Sequence, residues 1–244
     1  MLFSGGAPIG MLGQLEKREM ETLSFIVNNL PIIGQRTLQH LSIVCVAVGI
    51  AILTGVPIGI AIMQNKRAAD IVLYVAAMIM TIPSIALFGL MIPILSTIGQ
   101  GIGYLPAVIA VLLYSQLPII RNTYTAITNV DPALREAARG MGMGAMQRLT
   151  QVELPIAVPV IMAGVRIAVV MNIGITAIAT YIGAGGLGMF ISRGISQTDP
   201  RQLITGALAV SLLAIFSDYF LLWIQHLLTP KGLRLAPARI ARAH

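Results

Sequence analysis

The stretch Glu136-Ala137-Ala138-Arg139-Gly140-Met141-Gly142, followed twelve residues after Gly142 by Leu154-Pro155, decides the fold of this chain. It is a short polar segment between long apolar ones. Asp131-Pro132 ahead of it predicts a helix start, because the aspartate caps free N–H groups and proline suits the first helical turn. Gly140 and Gly142 should end that helix, and a second short helix at 145–152 should follow. We therefore predict a helix-turn-helix loop, residues 131–153, between two membrane spans.

The composition places most of the chain in lipid. Its 244 residues are 57% hydrophobic and only 10% charged, whereas soluble domains average about 25% charged residues. Residues 71–120 contain no Asp, Glu, Lys or Arg, and about 20 apolar residues cross the hydrocarbon core. The sequence lacks the strict alternation over segments of ~10 residues that a membrane barrel needs. We expect an all-α integral membrane protein.

Five transmembrane helices account for the apolar segments. We place them at residues 36–64, 71–95, 104–127, 155–182 and 202–228. Gly55 and Gly59 give the first span a face of small residues on which another helix can pack closely. Pro83 and Pro93 predict that the second span is broken. The segment between the fourth and fifth spans, residues 183–200, is predicted to be a loop.

The domain order and the orientation follow from this assignment. Residues 1–35 should hold a leader and a short interfacial helix at 22–30, residues 36–230 the transmembrane domain, and residues 231–244 a basic cytoplasmic tail. With the loop at 131–153 in the cytoplasm, ten Lys and Arg residues lie inside and five outside. Because cytoplasmic segments collect positive charge, this favours an N-terminus outside and a C-terminus inside. The net charge of +7 is explained in the same way, without nucleic-acid binding.

The chain resembles the permease subunits of type I ATP-binding-cassette (ABC) importers. The resemblance covers residues 38–228 and rests first on the Glu-Ala-Ala-x-Gly loop with its later Leu-Pro. Three further elements are similar to the osmoprotectant group, whose members import glycine betaine, choline, carnitine and related compatible solutes. These elements are Gly164-Val165-Arg166, Asn172-Ile173-Gly174 and Tyr181-Ile182-Gly183-Ala184-Gly185-Gly186-Leu187-Gly188. Methionine permeases carry similar glycine-rich loops, so a methionine or other amino-acid importer stays open as an alternative.

The resemblance also implies the partners. A second permease subunit, identical or closely related, should pair with this chain in the bacterial inner membrane. Two ATPase subunits should bind ATP and Mg in the cytoplasm, and an extracytoplasmic binding protein should deliver the solute. This chain contains no phosphate-binding G-x-x-x-x-G-K-[ST] motif, so we expect no cofactor and no enzymatic activity in it.

Two loops are the candidate functional sites. The resemblance assigns docking on the ATPase to the cytoplasmic loop, through Glu136, Ala137, Ala138, Gly140, Gly142, Leu154 and Pro155. The alternative is an ordinary amphipathic loop helix. The outer loop holds Gly183, Gly185, Gly186 and Gly188, where glycine allows positive φ, and it should contact the binding protein or close the outer gate. The same glycines match a dinucleotide-binding pattern, but that pattern needs a preceding strand and here follows a membrane span.

Polar residues within the spans are candidates for the translocation pathway. Those we single out are Ser84, Asn172, Thr176 and Thr180, with Thr81, Ser115 and Gln116 as further members. The alternative for each is a hydrogen bond between helices. Aromatic residues make up only 5% of the chain, and quaternary ammonium groups are held by aromatic cages. The selective cage should therefore lie in the binding protein.

Two charges fall deep in predicted spans. Arg166 lies eleven residues past Pro155 and Asp218 ten residues before Leu228, so each is about 15 Å from the cytoplasmic end at 1.5 Å per residue. A lone charge there costs about 2.5–3.5 kcal/mol, and we predict that the two pair. The alternative is an arginine that extends to the interface and an unrelated pathway aspartate.

Other classes of function have little support in the sequence. His40, His226 and His244 are scattered, and we assign them interfacial or solvated roles rather than a metal site. The single Cys45 forms no intrachain disulfide. An ion-coupled secondary transporter would show inverted repeats, which the sequence lacks. A membrane scaffold without transport activity remains a further alternative.

Overall fold

The computed structural model of the chain describes the backbone of residues 9–230 and the side chains of residues 18–230. The described part is helical. Its ten α-helices are α1 (Ile9–Asn28), α2 (Leu30–Ala61), α3 (Lys66–Thr81), α4 (Ser84–Ser96), α5 (Tyr104–Thr128), α6 (Pro132–Gly140), α7 (Ala145–Arg148), α8 (Leu154–Ile178), α9 (Gly188–Ser196) and α10 (Pro200–Leu228).

Helices α2, α5 and α8 form the centre of the subunit, and α10 packs on the outside of α8. The close approach of α2 to α5 depends on two glycines. A Cβ atom at Gly55 would lie 3.0 Å from the Ile119 side chain, and one at Gly59 would lie 2.7 Å from Thr123. Such a Cβ would force the helices apart, so the small face predicted on the first span is confirmed. Ile43, Ile119 and Ile173 are fully buried in this centre.

The described residues contain four or five candidate spans, and five were predicted. Four helical segments, residues 30–64, 104–128, 145–182 and 200–228, are long and apolar enough to cross a membrane. The pair α3 and α4 passes the same test only when the two helices are taken together, as one broken span or a re-entrant segment, and it is bent by 98° at the break between them. The break lies at Ile82-Pro83, where Ile82 has an extended backbone (ψ 126°). A residue that precedes proline avoids the helical region, and this explains the break that the sequence predicted at Pro83.

Three predicted boundaries are wrong. The first span begins at Leu30 rather than at residue 36, and the helix before it is α1, Ile9–Asn28, rather than a short helix at 22–30. The second cytoplasmic helix does not end before the fourth span, because a π-helical turn, Leu149–Glu153, joins α7 directly to α8. The predicted basic tail, residues 231–244, lies outside the described residues.

The predicted loop at 183–200 contains a helix, α9, and the glycines explain the error. A Cβ atom at Gly188 would lie 1.9 Å from the carbonyl oxygen of Ala177. A Cβ atom at Gly194 would lie 2.5 Å from the backbone nitrogen of Leu203, and one at Gly206 would lie 2.7 Å from the side chain of Ile191. These glycines let α9 lie directly against α8 and α10, and two of them, Gly188 and Gly194, fall in the segment that was predicted to be a loop.

Candidate functional site

The loop at residues 131–153 presents one face of α6 to solvent. Asp131 caps the helix by accepting a hydrogen bond from the Ala133 nitrogen at 2.9 Å. The helix ends at Gly140, and Gly142 follows with φ +80°. Glu136, Ala137 and Gly140 are exposed, and a Cβ atom at Gly140 or Gly142 would meet no atom of this chain within 4 Å. This surface is free to receive a partner.

Three of the predicted coupling residues do not lie on that open surface. Ala138 is buried, so it packs inside the subunit and cannot meet a partner as Ala137 can. Leu154 and Pro155 are half-buried at the first turn of α8, and Leu154 packs against the cluster of Ile127 and Ile161. The Leu-Pro pair therefore anchors the loop to the membrane domain.

The buried carboxylate of Glu153, which is not among the predicted site residues, holds the loop in place. The Glu153 side chain is 3% exposed, and its Oε1 accepts a hydrogen bond from Arg148 Nε at 2.7 Å. The Nε of Arg135, in α6, is 3.5 Å from the same oxygen. Arg135 also donates a hydrogen bond to the Ile127 carbonyl at the end of α5. Glu153 thus ties α6 and α7 to the base of α8. The sequence held a signal for this contact, because a glutamate stands directly before Leu-Pro and each of the two loop helices carries an arginine.

The glycine loop, residues 183–188, is built on positive φ angles. Gly183, Gly185 and Gly186 have φ values of +79°, +77° and +80°, and Gly188 begins α9. The loop lies against α2 through two side chains, Gln39 and His40. The interfacial or solvated role predicted for His40 is wrong, because the residue is fully buried. His226 is exposed on α10, and His244 lies outside the described residues.

The pathway candidates differ in burial and in their contacts within the subunit. Asn172 is fully buried and donates to Ser115 Oγ at 2.8 Å and to the Ala168 carbonyl at 2.9 Å. Thr176 is fully buried one turn later. Thr180 donates to the Gly185 carbonyl at 2.7 Å, and Ser84 is half-buried at the start of α4. Within one subunit, Asn172 and Thr180 join structural elements, and the pathway role of all four stays a prediction.

The structure brings Arg166 and Asp218 together. Arg166 Nε donates to Asp218 Oδ1 and its second nitrogen, Nη2, to Oδ2, both at 2.8 Å. The remaining nitrogen, Nη1, lies 3.3 Å from Gln225 Oε1. Two parallel hydrogen bonds between ionised groups are among the strong ones, and they join α8 to α10. An open groove of about 810 Å³ runs along the pair.

No group of three or more His, Cys, Asp or Glu side chains among the described residues is arranged to hold a metal ion.

Residues 47–232 match the family described as binding-protein-dependent transport system inner membrane component. Osmoprotectant import permease protein OsmW of Salmonella typhimurium is 56% identical over 215 residues, which are 88% of this chain and 100% of the relative. A glycine betaine/carnitine/choline transport system permease protein of Bacillus subtilis, OpuCB, is 38% identical over 88% of this chain and 96% of its own length. A choline transport system permease protein of the same organism, OpuBB, is 40% identical over 82% and 89%.

Among solved structures, a chain of the MetNI methionine ABC transporter in an inward facing conformation has a similar fold. The TM-score is 0.74 at 23% sequence identity, and the match covers 82% of this chain and 98% of that chain. At this identity the likeness concerns the fold and carries nothing about the solute.

Proposed function

The chain belongs to the family of inner membrane components of binding-protein-dependent transport systems and is a permease subunit of an ABC importer; from this premise we propose that it conducts compatible solutes such as glycine betaine, choline or carnitine. The observation that carries the cargo is the 56% identity to an osmoprotectant permease over that relative's whole length. The relatives at 38% and 40% identity also carry names of quaternary ammonium solutes. A methionine cargo has in its favour only the shared fold and the resemblance of the glycine-rich loop.

The coupling loop is the proposed contact with the ATPase. Its exposed residues Glu136, Ala137 and Gly140 form a surface on which a partner can lie close to the backbone. Two such loops, one from each permease subunit, receive two ATPase subunits, which bind the ATP and Mg. This chain itself performs no catalysis. When the ATPases close on ATP, they draw the two loops together, and α8 moves with its loop because Glu153 ties them.

The outer loop faces the binding protein in this arrangement. The N-terminus lies outside and the C-terminus inside, as the distribution of Lys and Arg requires. ATP favours the outward-open state, and the loaded binding protein favours the same state when it delivers its solute. Hydrolysis then returns the pair to the inward-open state. The cycle is a shift between two populations, to which each ligand contributes by its differential affinity.

Uptake into proteoliposomes that contain the complete importer tests the proposal. We expect ATP-dependent accumulation of radiolabelled glycine betaine, choline or carnitine when the binding protein is present. Unlabelled glycine betaine should compete with this uptake, and unlabelled methionine should not. Accumulation of methionine alone would refute the cargo. Uptake driven by an ion gradient without ATP would refute the transport mechanism, and no uptake of any solute would favour a scaffold.

A further inference from the structure

Helices α1 and α10 pack against each other and enclose an open cavity of about 1130 Å³. The cavity includes the N-terminus of α10, which lies at the end of the spans opposite the loop at residues 131–153. Its polar wall carries charges of both signs, from Arg18, Glu19, Glu21, Asp199 and Arg201. A ligand that itself carries a positive and a negative group can therefore find partners for both.

An apolar groove continues from this cavity along α10. It has a volume of about 410 Å³ and lies between α10 and the junction of α1 with α2. Ile26 and Leu208 line both the cavity and the groove, so the two spaces are continuous. The only polar side chains among the described residues of the groove are Thr37 and Thr205, and both hydroxyls donate to carbonyl oxygens of their own helices. The groove thus leaves no polar group for a ligand to satisfy.

The groove has the length of half a bilayer. From Thr205 to Phe216, at its two ends on α10, is eleven residues, about 16 Å at 1.5 Å per residue. The hydrocarbon core is about 30 Å thick, so the groove reaches from one surface of the core to its middle. Helix α10 has 29 residues, about 43 Å, and extends beyond the core at its ends. The charged cavity at the N-terminus of α10 therefore lies at the depth of the lipid headgroups.

Several charges of the cavity have no partner within the subunit. Arg201 donates to the two carboxylate oxygens of Asp199, at 3.0 and 3.3 Å. Glu21 of α1 is close enough for its charge to act on Arg201 of α10, so the two helices face each other here. Among the described side chains, Arg18, Glu19 and Glu21 form no ion pair. One guanidinium and two carboxylates are available to a ligand.

A ligand that fits both spaces must be amphipathic. A soluble zwitterion would leave the groove empty, and a hydrocarbon would leave the charges unmet. A phospholipid supplies an acyl chain and a phosphate, and arginine binds phosphate through strong charge-assisted hydrogen bonds. A purely anionic headgroup would bring its phosphate beside three carboxylates without a compensating cation. A trimethylammonium headgroup calls for aromatic rings, and the described lining of the cavity contains none. A primary ammonium can instead donate to the carboxylates.

We propose that the cavity and the groove together bind one molecule of phosphatidylethanolamine. Its phosphate lies at Arg18 and Arg201, its ammonium group at Glu19 and Glu21, and one acyl chain along α10 as far as Phe216. The bound lipid ties α1 to α10, because both helices contribute charges to the same headgroup. This site is independent of the transported solute and of the ATPase contact, so its failure would leave the proposed function untouched.

Native mass spectrometry of the complete importer, purified in detergent and titrated with lipid, tests the site. We expect phosphatidylethanolamine to bind about tenfold more tightly than phosphatidylglycerol or phosphatidylcholine with the same acyl chains, the equivalent of ~1.4 kcal/mol. Arg18→Gln should weaken the binding of phosphatidylethanolamine, and Glu21→Gln should reduce its advantage over phosphatidylglycerol. Equal affinities of the wild-type importer for the three lipids would overturn the proposal.

Arg193→Gln is the matched control for the charges. Arg193 is exposed on α9 near the same end of the spans and does not line the cavity. Its replacement removes a positive charge from that end without touching the site, so we expect the affinity for phosphatidylethanolamine to stay at the wild-type value. If Arg193→Gln weakened binding as much as Arg18→Gln does, overall charge would hold the lipid and the specific site would be refuted.

The groove has its own pair of variants. Leu208→Trp places a large ring where the cavity joins the groove and should lower the affinity for phosphatidylethanolamine. Leu228→Trp makes the same change at an exposed leucine of α10 outside the groove and should not. Glycerophosphoethanolamine, the headgroup without acyl chains, should compete poorly. If it competed as well as the whole lipid, the acyl chain would have no place in the groove and that part of the proposal would fail.

The position of the lipid is read out in nanodiscs that contain phosphatidylethanolamine with a photoreactive diazirine on one acyl chain. We expect the label on α10 between residues 205 and 216. Label spread evenly over the exposed apolar face of α10, including Phe220, would indicate ordinary bilayer lipid and overturn the site. A second permease subunit could cover the groove instead. Leu212→Cys in a Cys45→Ala background would then form a disulfide between the two subunits, and that result would refute the proposal.

Discussion

Replacing Glu153 by glutamine removes the one charge that holds the coupling loop to α8. The carboxylate is 3% exposed, and the two arginine side chains on it, Arg148 and Arg135, are 17% and 29% exposed. Breaking a fully buried ion pair costs about 3–5 kcal/mol, and a hydrogen bond to a charged group contributes about 1.5–3 kcal/mol. Because the arginines reach solvent and glutamine keeps one acceptor oxygen, we expect a loss of about 2 kcal/mol.

The effect on transport should exceed the effect on stability. Without the charge, Arg135 and Arg148 repel each other, and α6 can move without α8. We therefore expect ATP hydrolysis to continue while solute imported per ATP falls at least fivefold. The measurement is simultaneous recording of uptake and phosphate release in proteoliposomes, with thermal unfolding of the purified complex as the stability readout.

Glu136→Gln is the control in the same loop. Glu136 is exposed on α6, so its replacement should leave the unfolding temperature unchanged and act only through the contact with the ATPase. Arg148→Gln should reproduce the Glu153→Gln defect, and the double variant should lose less stability than the two single losses added together, because residues in contact are not additive. Glu153→Gln with wild-type stability and wild-type stoichiometry would refute the reasoning.

Three further predictions concern other parts of the subunit. Gly140→Trp should insert and fold normally, because a side chain there meets no atom of this chain, yet it should block ATP-driven uptake; full uptake would show that Gly140 does not lie at the ATPase contact. Arg166→Asp and Asp218→Arg should each lower the yield of folded protein severalfold, and the double swap should recover part of it; no recovery would mean that each charge acts on folding through contacts other than the pair. Ser196→Cys in the Cys45→Ala background should react with an impermeant thiol reagent from the extracytoplasmic side, since Ser196 is exposed at the end of α9; reaction only from the cytoplasmic side would reverse the orientation.

The membrane explains why much of this fold could be predicted. A span has a fixed length, so apolar segments locate the helices and proline locates the break at Ile82-Pro83. The position of a residue along a span also fixes its depth in the membrane. Because a charge there is costly, two opposite charges at the same depth on antiparallel helices are expected to pair. Arg166 and Asp218 were predicted as a pair for that reason, and they lie within hydrogen-bonding distance.

The contacts that were missed lack such a constraint. Gln39 and His40 lie 145–147 residues from the backbone groups that they bind, and backbone groups have no signature in a sequence. Glu153 stands at the end of a polar loop, where a glutamate is usually solvated, and its burial beside Arg135 of α6 and Arg148 of α7 is set by the fold. The glycines around α9 were ambiguous because a glycine serves close packing as well as turns.

The polar contacts of α8 are spaced along its whole length, and each joins it to a different element. Glu153 binds the coupling loop, Arg166 binds α10 and the Ile173 carbonyl binds His40 of α2. From Glu153 to Ile173 is twenty residues, about 30 Å at 1.5 Å per residue, which is the thickness of the hydrocarbon core. Lipid tails are as apolar as the helix faces, so burial of apolar surface gives little preference for one helix neighbour over another. Hydrogen bonds and ion pairs must then decide which helices move together when the ATPase displaces the loop. On this reasoning we expect α8 to carry a movement of the loop at residues 131–153 to α10 in mid-membrane, and to α2 and the glycine loop at the other end of the span.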